Sequence, residues 1–192
     1  MGLLATSRAA LAAVLDPILA LGRLVAWISI GLMTIIILVQ VVFRYLLGNA
    51  LPWPDEAARF LMLWMTALIA PSAYRQGGFV SIDLVSSMLP RRIGGALALI
   101  LLLLALIVLL TGVSLGLKHV NSGWLFASST LRVPMDLIGM KAFKIKLAWM
   151  YLSLLVGIIL LAAVNLELIL KAVTRLIEPD ALPEDKEIPG TK

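Results

Sequence analysis

The chain has no cysteine and a single histidine, His119. The first absence excludes disulfides, thiolate nucleophiles and cysteine-held metals together. The second excludes a haem held by two histidines of this chain, and leaves His119 as a plain interfacial residue. Charge is also scarce: 14% of residues are charged, against about 25% in soluble domains. No phosphate-cradling glycine loop, dinucleotide fingerprint or zinc-binding helix motif occurs. The acids do not gather with a nucleophile, and no metal-ligand spacing is present. An enzyme is therefore the least supported class, and neither a cofactor nor a metal is expected.

What fills the 192 residues is apolar: 61% are hydrophobic and the mean hydropathy is +1.05. Soluble domains sit nearer 45–50% apolar. The excess lies in continuous blocks rather than in alternation, which points to membrane helices and away from a barrel. The expected fold is an all-α integral membrane protein with four transmembrane helices plus short interfacial amphipathic helices. The net charge of +5 could suit nucleic acid. In a chain this apolar, however, Lys and Arg flank spans and meet anionic headgroups. Membrane lipids are thus expected partners, and nucleic acid is not.

In chain order, residues 1–22 read as an N-terminal interfacial lead-in, with Pro17 marking a break or kink before the first span. Residues 23–176 form the four-helix membrane domain, with spans at about 24–43, 57–74, 93–117 and 147–168. Gln40 is the strong hydrogen-bonding side chain of the first span, and its expected partner is another helix. Gly77-Gly78 permits a sharp redirection after the second span. Residues 79–89 are too short to cross, and their apolar spacing reads as an interfacial helix. Gly112 and Gly116 make a GxxxG in the third span, a weak signal for close helix contact. The long connection 118–146 carries an interfacial basic cluster, Lys141, Lys144 and Lys146, read as a headgroup boundary or a docking point for a soluble partner. Glu167 and Lys171 make a favourable i, i+4 pair. Residues 177–192 are Pro-rich and charged, as expected of a disordered tail.

The densest chemistry lies in WPDEAARFLMLWMTALIAPSAYRQGGFVSID, residues 53–83. Pro54 suits a helix start, and Asp55 and Glu56 place acids in its first turn. Arg59 can share a face with both. Uncharged residues run only from Phe60 to Tyr74, short for a bilayer needing about 20. The string Trp53, Glu56, Arg59, Trp64, then Arg75, Gly77, Val80 and Asp83, resembles the small membrane subunit (Q subunit) of tripartite ATP-independent periplasmic (TRAP) transporters. Phe79 stands where members of that family often carry histidine. Leu131-Arg132-Val133-Pro134 adds a weaker match.

The resemblance implies a non-catalytic subunit that scaffolds a large sodium-coupled permease subunit for uptake of an organic acid delivered by a periplasmic substrate-binding protein. It implies a multi-pass protein of the bacterial inner membrane with both termini cytoplasmic, an orientation that the near-even division of Lys and Arg does not decide. Trp53, Glu56, Arg59, Trp64, Arg75 and Asp83 become candidate structural or partner-interface residues. The rival reading is a self-sufficient four-helix carrier of the proton-coupled exporter type. That chemistry needs an ionisable group inside the membrane, and the charged residues here fall near the expected span ends. A redox subunit anchoring haem is disfavoured by the lone histidine.

Overall fold

The computed structural model describes residues 3–77, 91–133 and 143–177. Helix α1 covers Leu3–Val41 and passes through a short π-helical turn, Val42–Leu46. Helix α2 covers Pro54–Arg75, α3 covers Arg91–Gly123 and α4 covers Ala148–Ile177. Among the described residues, four helices are long and apolar enough to cross a membrane. Between α3 and α4 lie two short antiparallel strands, β1 (Ala127–Val133) and β2 (Phe143–Lys146). The architecture is all-α and multi-pass, with this small hairpin as its one departure among the described residues.

The sequence elements explain their own boundaries. Pro54 occupies the first turn of α2, where its missing N–H leaves nothing unpaired, and Asp55 and Glu56 follow it. Gly77, with φ of +82°, stops α2 in the left-handed region that glycine adopts without penalty. Strand β2 reads Phe-Lys-Ile-Lys, an alternation with a period of two.

Helix α1 runs uninterrupted through Pro17 over 39 residues, so the proline does not end it. At ~1.5 Å per residue it is far longer than a ~30 Å hydrocarbon core. Its first half is part of the bundle: Leu15 and Leu19 are buried against Val164, with Tyr74 and Leu168 packed around them. Helix α4 likewise continues to Ile177, so Glu167 sits inside a helix rather than at its end.

Helices α1 and α2 pack side by side, α4 packs against both, and α3 leans chiefly on α4. Close approaches set these contacts. A Cβ on Gly157 of α4 would stand 3.0 Å from the Ala67 Cα of α2. On α3 the GxxxG pair does face α4: a Cβ on Gly116 would come within 3.0 Å of Leu155, and one on Gly112 within 3.4 Å of Ile158. Small residues let backbones approach where lipid gives helices no hydrophobic incentive to associate. Away from α4, α3 presents Ile100, Leu103, Leu104, Ile107 and Val108 to the surroundings, as suits a helix bathed in hydrocarbon.

Candidate functional site: two polar clamps on the second helix

The first clamp sits where α2 begins. Glu56 does not pair with Arg59, although the spacing allows it. Its Oε2 accepts from the backbone N–H of Leu131 at 3.1 Å, from the N–H of Thr130 at 3.3 Å, and from the Thr130 hydroxyl. The Leu131 N–H also donates to Ser128 Oγ at 2.8 Å. One carboxylate thus gathers the middle of β1 onto the start of α2. Lys146 closes the other strand, donating to the Trp124 carbonyl at 3.0 Å. Lys144, on β2, is exposed.

The second clamp sits where α2 ends. Arg75 donates from Nη2 to Glu167 Oε1 at 2.8 Å and from Nη1 to Asp16. The guanidinium therefore ties α2 to α4 and to α1. The two bonds are unequal in setting, because the Glu167 side chain is 9% exposed and that of Asp16 is 63% exposed. A bond to a buried carboxylate escapes the screening that makes exposed pairs weak. One residue earlier, the Tyr74 hydroxyl donates to Asn165 Oδ1 at 2.5 Å, and Asn165 Nδ2 donates to the Leu102 carbonyl of α3 at 3.0 Å. Asn165 is fully buried, and it carries the clamp across from α4 to α3. Arg23 of α1 donates to Ser72 Oγ at 3.2 Å.

The remaining expected residues fall outside these clamps. Trp53 lies in the turn before α2, where its carbonyl accepts from the Ala57 N–H at 3.0 Å. Trp64 packs near Phe60, with ring centroids 6.4 Å apart, and its buried indole N–H has no acceptor among the described residues. Arg59 is exposed and has no hydrogen-bond or ion-pair partner among the described residues. It shares an outward stripe with Asp55, Met62, Thr66 and Ala73. Asp83, Lys141 and the segment 79–89 lie outside the described residues, as does the tail beyond Ile177. His119 is exposed, bonded to the Leu115 carbonyl and edge-on to Tyr151.

One expectation about partners changes. Gln40 donates to the Leu51 carbonyl at 3.1 Å, so its partner is the loop into α2 and not another helix. Glu167 is bonded to Arg75, an arrangement that the local spacing to Lys171 does not foretell. Asp16, Tyr74, Thr130 and Asn165 are participants that sequence reasoning did not select. For Tyr74 and Asn165 the available signal was a polar residue set in a long apolar stretch, where a hydrogen-bond partner is expected; Thr130, in the polar connection, carried no such signal.

Chemically, the clamps spend most of their polar atoms on one another. Among the described residues no group of His, Asp and Glu could hold a metal ion. The geometry is that of a multi-pass membrane protein braced by side chains across its helices. The family of tripartite ATP-independent periplasmic transporters, DctQ component, matches residues 33–175, and the chain belongs to that family, the small permease component of TRAP transporters. The match takes in Glu56, Tyr74, Arg75, Asn165 and Glu167, while Asp16 and Arg23 precede it. No curated protein matches the chain.

Proposed function

We propose that this chain is the static partner of a large, sodium-coupled TRAP permease subunit, taking up an organic acid handed over by a periplasmic substrate-binding protein. It sits in the bacterial inner membrane with both termini in the cytoplasm and the β hairpin in the periplasm. A carrier domain that moves across the bilayer needs a wall that does not. The double clamp on α2 supports that role, because it braces the helices at both ends of one span.

The observation that carries the contact with the large subunit is the outward stripe of α2. It sets Arg59, without a partner among the described residues, beside Thr66 and Ala73. An unpaired guanidinium near the start of a span, where water is scarce, favours a carboxylate or carbonyl from another protein. The Lys144 edge of the hairpin faces the same side as the incoming binding protein in this orientation.

Arg59→Ala is expected to lower the yield of large subunit co-purified with this chain, while the melting temperature of the isolated chain stays at wild type. Wild-type co-purification from Arg59→Ala would remove this stripe from the interface. Reconstituted alone, the chain should give no sodium-driven uptake of an organic acid, and adding the large subunit and binding protein should restore it. Uptake by the chain alone would favour the self-sufficient carrier. For orientation, Asn49→Cys and Ser122→Cys should react with an impermeant maleimide in intact spheroplasts, and Gln76→Cys only after permeabilisation.

A further inference from the structure

A cavity of about 210 Å³ opens where α1 gives way to α2. Ile37, Val41 and Pro54 give it an apolar wall, and Gln40, Arg44 and Asp55 give it a polar one. We propose that this cavity is a binding site for the headgroup of a zwitterionic phospholipid whose amine carries N–H donors, an ethanolamine-type headgroup. The proposal rests on the membrane setting alone and is independent of the transport role.

Three observations converge on that chemistry. Gln40 is 9% exposed, and its Nε2 is occupied by the Leu51 carbonyl. Its Oε1 is buried and has no donor among the described residues. A buried carbonyl oxygen in that state is unfavourable until a donor reaches it. Second, Arg44 and Asp55 line the same cavity without forming an ion pair with each other. Unlike charges held apart in one concavity fit a ligand that brings both signs at a fixed separation, as a phosphate and an ammonium do. Third, the backbone carrying Arg44 is a π-helical turn, an irregularity that often accompanies functional sites. There the guanidinium lies 5.9 Å over the Tyr45 ring, a stacking that holds the head while leaving its edge free to fork onto a phosphate.

The position suits a lipid. The cavity lies at the end of a long apolar helix, next to the lipid-exposed side chains of Ile37 and Val41, along which acyl chains can run. A choline headgroup offers no N–H to Gln40 or Asp55. A glycerol headgroup offers hydroxyls but no cation for Asp55. An ethanolamine headgroup satisfies Arg44 with its phosphate, and Asp55 and Gln40 with its ammonium.

The test uses the full chain, exchanged into mixed vesicles holding equal amounts of ethanolamine, choline and glycerol phospholipids with the same acyl chains. Lipids retained after purification are read by native mass spectrometry. The ethanolamine lipid should be retained on the order of tenfold over the choline lipid, the loss expected for one charge-assisted hydrogen bond. Arg44→Gln should reduce retention of all three by a similar factor. Asp55→Asn should abolish the preference of ethanolamine over glycerol lipid and leave total retention closer to wild type. Both side chains are exposed, so neither variant should impair folding; Lys118→Gln, exposed on α3 and outside the cavity, serves as the control and should change nothing. Equal retention of the three lipids by the wild type, or unchanged selectivity in both variants, would overturn the proposal. Soluble phosphoethanolamine at matched concentration should not displace the lipid. Displacement would mean that the site takes a water-soluble phosphorylated amine instead, and would overturn the lipid assignment.

Discussion

The two ends of α2 are fastened by opposite chemistry. At its start a single carboxylate, Glu56, collects neutral donors from a strand outside the helices. At its end a guanidinium, Arg75, is shared between carboxylates of two other helices. The first clamp holds a loop to the bundle, whereas the second holds the bundle to itself. The strength of each follows from what would be stranded on breaking it. Loss of Glu56 takes the acceptor from the Thr130 donors but leaves the Leu131 N–H its second acceptor, Ser128 Oγ. Loss of Arg75 leaves Glu167 as a buried charge, with its Oε2 already lacking a partner among the described residues.

The largest effect is therefore expected at Arg75. Arg75→Ala should cost about 3–5 kcal/mol, the penalty of leaving one member of a buried pair uncompensated. Thermal unfolding of the purified chain in detergent reads this directly. Adding Glu167→Gln to the same chain should recover part of the loss, because the stranded charge is then gone. A melting temperature unmoved by Arg75→Ala would show that the second clamp does not hold the helices together.

Glu56→Ala should cost less, about 1–3 kcal/mol, and the loss should be local. Amide hydrogen exchange should accelerate at Thr130 and Leu131 while α2 and α4 keep their protection. Exchange that rises throughout the helices instead would erase the distinction between a loop clamp and a bundle clamp. Tyr74→Phe removes one neutral hydrogen bond and leaves the buried Asn165 Oδ1 without that donor, so its cost should fall in the same range, about 1–3 kcal/mol. Asn165 keeps its bond to the Leu102 carbonyl, so α3 and α4 should stay joined. A loss as large as that of Arg75→Ala would place the weight of the clamp on the tyrosine.

How much of this was legible beforehand differs between fold and site for a physical reason. The helices are written in long apolar runs and in local stop signals such as Pro54 and Gly77, so their number and order could be read directly. Their ends were less legible: α1 passes through Pro17 and α4 runs on to Ile177, because packing of Leu15, Leu19 and Val164 outweighs a local breaker. The hairpin went unread although Phe143-Lys-Ile-Lys alternates, since four residues carry little signal beside the spans. In the site, Glu56 and Arg75 could be singled out by charge, but their partners could not. Thr130 is 74 residues from Glu56, and Glu167 is 92 from Arg75. Spacing arguments reach only to the next helical turn, which is why they suggested Glu56 with Arg59 and Glu167 with Lys171.

The three-way bond at Arg75 also has a temporal side. A chain made from its amino terminus presents Asp16 first, Arg75 next and Glu167 last. When the first two helices are complete and the last is still unmade, the guanidinium already has a carboxylate of its own half within reach. Asp16, the more exposed of its two acids, can thus chaperone the charge through the interval before the buried one arrives. A residue that adds little to the finished protein can matter most while the protein is unfinished.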